Sequence, residues 1–134
     1  MKIKKWFGCM SLVLVLACAL PSVCYAKTTY FGNMFVDSNE YTWVASETKD
    51  TATKTARVYL TDIFKPGGEA SNYTKVYAKA ESGPETLVKK GTWVELPFSE
   101  SQIMYYLAGA NISIYCKGHN PSLDCEVSGN WDVY

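Results

Sequence analysis

The sequence predicts a small all-β domain, an antiparallel β-sandwich or a partly open barrel with one short helix. Three observations carry this. Apolar and polar residues alternate with a period of two over most regular segments, and helical periodicity is scarce. Those segments are rich in Thr, Val, Tyr, Ile and Trp, residue types that suit a pleated, half-buried surface. Turn clusters punctuate them: Asp37-Ser38-Asn39, Lys65-Pro66-Gly67-Gly68, Glu81-Ser82-Gly83-Pro84 and Gly118-His119-Asn120-Pro121.

Taken in order, a first strand is expected over Tyr41–Ser46 and a second over Lys54–Ile63. In the second, Ala56, Val58 and Leu60 face one way, and Arg57, Tyr59 and Thr61 the other. The third, Tyr73–Ala80, opposes Val76, Ala78 and Ala80 to Lys75, Tyr77 and Lys79. A fourth, Gly91–Phe98, alternates Trp93 and Glu95 against Val94 and Leu96. Ser99-Glu100-Ser101-Gln102 reads as a capping box before a short helix at Ile103–Leu107, stopped by Gly109 in a left-handed conformation. Ile112–Cys116 and Cys125–Trp131 form a final pair, expected to be antiparallel neighbours. Glu47–Thr55, with four threonines and two lysines, reads as a mobile connection.

The chain divides into two parts, 1–26 and 27–134. Met1-Lys2-Ile3-Lys4-Lys5 is a basic start, Trp6–Leu20 an apolar stretch, and Cys24-Tyr25-Ala26 a small-x-small site. That order is the pattern of a cleavable secretory signal, with cleavage after Ala26 and Lys27 as the mature N-terminus. The apolar stretch is shorter than the about 20 residues of a spanning helix. Processing would leave no transmembrane segment. Val15-Leu16-Ala17-Cys18 offers a rival, a lipid anchor on Cys18, but bulky Leu16 and the apolar Ala19-Leu20 beyond the cysteine disfavour it.

Cleavage changes the cysteine count and the charge. Cys9, Cys18 and Cys24 leave with the signal, and Cys116 and Cys125 remain as a pair in an oxidising compartment, where a disulfide is the expected state. Lys2, Lys4 and Lys5 also leave, so 13 basic residues fall to 10 against 13 acidic ones, a net charge of −3. Such a balance argues against nucleic-acid binding and against attraction to anionic membranes.

No motif carries catalysis. His119 is the only histidine, too few for a zinc centre, and no Gly-x-Ser-x-Gly elbow is present. Asp37, Glu40, Glu95 and Asp132 are acids that a glycosidase could use, yet nothing sets two of them across one cleft. Asp37-Ser38-Asn39-Glu40 lacks calcium-loop spacing and reads as an Asx turn. The chain is therefore expected to be non-enzymatic, without cofactor or metal. Its suggestive feature is aromatic content: Trp43, Trp93, Trp131, nine tyrosines and four phenylalanines follow residue 26. Tyr59, Tyr73 and Tyr77 are the candidate binding residues, an exposed strip if their strands are neighbours. The alternative is cross-strand packing that only stabilises a sheet.

The C-terminal third, with Asn111-Ile112-Ser113-Ile114, a polar loop and Val127-Ser128-Gly129-Asn130-Trp131-Asp132, resembles small secreted β-rich proteins of Gram-positive bacteria that have no assigned activity. The resemblance implies a compartment and a fold class. The expected function is a secreted, non-enzymatic module binding a glycan or a protein. The rival readings are a bacteriocin-like antimicrobial or toxin, and a small hydrolase.

Overall fold

The computed structural model describes residues 28–133, so the expected signal segment and Cys18 lie outside the described residues. Nine strands form: β1 (Thr28–Val36), β2 (Thr42–Thr48), β3 (Thr55–Lys65), β4 (Glu69–Ala70), β5 (Lys75–Ala80), β6 (Thr86–Lys89), β7 (Trp93–Pro97), β8 (Asn111–Gly118) and β9 (Cys125–Val133). All pairings are antiparallel, in two sheets. The first runs β1-β9-β3, with β4 and β7 sharing the far edge of β3, and the second runs β2-β8-β5-β6. The fold is a small all-β sandwich.

Alternation builds the layers. In β3, Ala56, Val58 and Leu60 are buried while Arg57, Tyr59 and Thr61 are half-buried on the outer face. In β8, Ile112, Ile114 and Cys116 point inward between Ser113, Tyr115 and Lys117. Trp131 of β9 is the largest wholly buried side chain, among a core that includes Leu60, Leu96, Ile112 and Ile114. Burying side chains of this kind is worth roughly 1.5–3 kcal/mol each, the main force holding the sheets together. Gly129 lets β9 lie against β3, since a Cβ there would stand 2.2 Å from the Tyr59 carbonyl oxygen.

Four expectations need correction. The second and third predicted strands, β3 and β5, are not neighbours, because the chain between them crosses from one sheet to the other. The last two, β8 and β9, also lie in different sheets, so Cys116 and Cys125 face the core from opposite sheets rather than pairing along a ladder. The capping box does not form: the segment Ile103–Tyr106 is a single 3-10 turn whose cap, Gln102, makes no side-chain capping bond. Its residues Ile103 and Met104 are exposed and only Tyr105 and Tyr106 pack partly against the core, too small an apolar face to support a longer helix. Finally, the loop after β2 is pinned. The Lys49 side chain is buried, its ammonium donates to the carbonyls of Thr53 and Tyr105, and it lies 4.7 Å from the centre of the Phe98 ring.

Other local readings hold. Asp37 makes the Asx turn, its carboxylate accepting the N–H groups of Asn39 at 2.6 Å and Glu40 at 3.1 Å. Gly109 has φ +83°.

Candidate functional site

The outer face of the β2-β8-β5-β6 sheet gathers aromatic and cationic side chains. Register sets the rows. Trp43 of β2 stands opposite Tyr115 of β8, which stands opposite Lys79 of β5. In the next row Lys117 faces Tyr77, and Tyr77 faces Leu87. In the third, Lys75 faces Lys89. Adjacent strands lie about 4.8 Å apart, so these rows adjoin one another on one face of the sheet.

Tyr41, just before β2, reaches across this face. Its hydroxyl donates to the Glu85 carboxylate, and its ring lies 4.3 Å from the Lys79 ammonium and 4.9 Å from that of Lys117. Lys117 closes the arrangement with a 3.0 Å bond to Glu85 and a position 5.5 Å from the Tyr77 ring. Burial, reinforced by the nearby Glu85 charge, raises the Tyr41 phenol well above its ordinary range. The hydrogen bonds from Tyr41 and Lys117 hold the Glu85 carboxyl below its ordinary range. Trp43 is half exposed, and its indole N–H donates to Ser46 Oγ at 2.8 Å, which fixes the ring's orientation. Ser46 in turn bonds Ser113 at 2.7 Å.

At one end the face runs into a cleft of about 290 Å³. Asn72, Tyr73, Lys75, His119 and Asn120 line it, and Cys125 is at its wall. His119 joins the cleft to the face, since its ring lies 5.3 Å from that of Tyr77.

The three candidate tyrosines do not form one strip. Tyr77 sits at the centre of this face and Tyr73 lines the adjoining cleft. Tyr59 is on the outer face of the opposite sheet, 5.5 Å from Trp93, whose ring carries the Arg57 guanidinium at 4.6 Å. Tyr41, Trp43, Tyr115, Lys79 and Lys117 were missed. The outward alternation of Ser113, Tyr115 and Lys117 is legible in the sequence, but which strands flank it is not.

Asp37 is engaged in its turn, and Arg57 stands between Asp132 and Glu95 across three strands of the other sheet. Arg57 bonds Asp132 at 2.7 Å. Among the described residues no three His, Cys, Asp or Glu side chains cluster as metal ligands, and no helix is long and apolar enough to cross a membrane.

The two thiols are free and buried. Each faces the core near the end where the turn after β1 bridges the sheets. Cys125 is opposite Val36 and Cys116 opposite Thr42, while the Gly118 N–H donates to the Asp37 carbonyl. A Cβ on Gly118 would stand 3.0 Å from both the Leu123 carbonyl oxygen and Ser38 Cα. The bare glycine thus lets the turn after β1 and the 119–124 connection approach β8 one inward position beyond Cys116. Burial pushes the Cys116 thiol up to about 12 and the Cys125 thiol up to about 11. No protein-family model, curated protein or solved structure matches this chain.

Proposed function

We propose that this protein is an exported, non-enzymatic glycan-binding module that holds its ligand on the outer face of the β2-β8-β5-β6 sheet. The observation that supports this most is the aromatic surface of Tyr41, Trp43, Tyr77 and Tyr115, spread over adjoining strands. Rigid aromatic side chains give contact area at low entropic cost, and rings spread over several strands suit an extended ligand. The rings are held by hydrogen bonds and ammonium groups, so little ordering remains to be done on binding. In an exported chain Cys116 and Cys125 close a disulfide between the sheets beside the cleft, and Lys27 is the first residue.

Affinity electrophoresis through gels containing polysaccharides tests the reading. Retardation by at least one polysaccharide is expected, weakened about tenfold by Trp43→Ala or Tyr77→Ala through the loss of an aromatic contact. Tyr59→Ala, on the opposite sheet, should retain it. Unretarded migration through a broad panel, or equal loss from Tyr59→Ala, contradicts the reading. Amino-terminal sequencing of the exported protein should give Lys27; a blocked, lipid-bearing Cys18 contradicts that start.

A further inference from the structure

We infer that the ligand of this face is an anionic polysaccharide. The inference rests on the glycan-binding reading above and adds the chemical class of the glycan.

Charge segregation is the first ground. The sequence beyond residue 26 holds more acids than bases, 13 against 10. Yet the outward positions of β2, β8, β5 and β6 include Lys75, Lys79, Lys89 and Lys117 and no Asp or Glu. Glu47 of β2 turns the other way and accepts a hydrogen bond from Thr29 of the opposite sheet. Glu85 reaches the face from the segment before β6, where Tyr41 and Lys117 already engage it. Glu81 is at the far end, accepting the Ser113 N–H.

The second ground is a like-charge contact. Lys75 and Lys89 are direct cross-strand partners, an arrangement that costs stability. Neither forms an ion pair among the described residues. Continuing the register, His119 falls beside Lys75, and both line the cleft. Lys89, Lys75 and His119 are thus neighbours at this edge, and among the described residues no Asp or Glu is ion-paired to the two lysines. A bound anion would relieve the repulsion.

The third ground separates a polysaccharide from a nucleic acid. Beyond residue 26 the chain is net acidic, 13 acids against 10 bases, and lacks the overall basic footprint that nucleic-acid binding needs. Asn72 and Asn120 in the cleft suit hydroxyl groups, as amides both donate and accept. The only arginine, Arg57, is on the other sheet.

Isothermal titration of the purified protein with polygalacturonate, its fully methyl-esterified form, a neutral glucan and a thymidine homopolymer tests the inference. Polygalacturonate should bind, with affinity falling about tenfold between about 0.05 and 0.5 M salt as screening shortens the range of the charges. The methyl ester should bind at least about tenfold more weakly, because the exposed charge pairs are gone. Lys75→Gln with Lys89→Gln should reduce polygalacturonate binding about tenfold, while the melting temperature holds or rises as the repulsion is removed. Equal binding of acid and ester, binding of the glucan alone, or undiminished binding by the double variant overturns the anionic-glycan inference and leaves a glycan-binding protein. Homopolymer binding as tight as polygalacturonate binding also overturns it. Absence of binding to every polysaccharide removes the underlying reading as well.

Discussion

Consider oxidation of the protein on the export route proposed above. Cys116 and Cys125 face the core from different sheets and are nine positions apart in the chain. A bond between them would close a loop of about ten residues, worth about 2.7 kcal/mol on the chain-entropy model. For a domain of about 100 residues, that corresponds to a rise in melting temperature of about 10–20 °C. Oxidation removes two hydrogens, passed to a disulfide of an exchange partner or small molecule, so intact mass falls by about two units. The assay is intact mass followed by urea unfolding with and without reductant. Alkylation must be done in denaturant: burial raises both thiols so far that neither is ionised at neutral pH in the folded, reduced protein. Two alkylatable thiols in protein recovered after export would refute the reasoning, as would an unfolding midpoint unmoved by reductant.

Other perturbations have equally definite outcomes. Lys49→Met keeps most of the packing volume but abandons the carbonyls of Thr53 and Tyr105, so a loss of about 2 kcal/mol in urea unfolding is expected. An unchanged midpoint would mean that the loop is not pinned there. Gly129→Ala drives a Cβ to within 2.2 Å of the Tyr59 carbonyl oxygen and should cost about 3 kcal/mol or more, or prevent folding; a stable variant would contradict the close approach of β9 to β3. Glu85 has its folded-state pKa depressed by Tyr41 and Lys117. Its contribution is thus present above its unfolded pKa, about 4.3, and disappears as pH falls through the lower folded value. Glu85→Gln should flatten that part of the acid limb of stability, by a small amount because the side chain is partly exposed. An identical acid limb in the variant would show that the Tyr41–Glu85–Lys117 arrangement contributes nothing.

Local periodicity revealed six of the nine strands, and tertiary pairing was what it hid. Val58 and Leu60 against Tyr59, or Ile112 and Ile114 against Tyr115, can be sorted into inner and outer faces by alternation alone. β1 escaped because Gly32 and Asn33 interrupt its period. The register against β9 shifts between Phe31 and Met34, and Asn33 has φ +48°. That is a bulge, which adds a residue to one strand and breaks the pattern. β6 is only four residues, with Val88 alone buried, and too short to show a period. The 119–124 connection reads as a hairpin loop, yet it carries the chain between sheets. Inward-facing Cys116 and Cys125 fit either path, so the spacing could not choose. The same blindness affected the site. Tyr77 was legible as outward, and its row partners Lys117 and Leu87 were not, since their proximity exists only once β8 and β6 take their places beside β5.

The central claim is that one face of the sandwich, and not the other, meets a glycan. Amide chemical-shift mapping of the isotope-labelled protein during titration with polygalacturonate tests it most directly. Perturbations should concentrate on Trp43, Lys75, Tyr77, Tyr115, Lys117 and His119, leaving Tyr30, Arg57, Tyr59 and Trp93 unmoved. Perturbations centred on Tyr59 and Trp93, or no perturbation at saturating polymer, would contradict it.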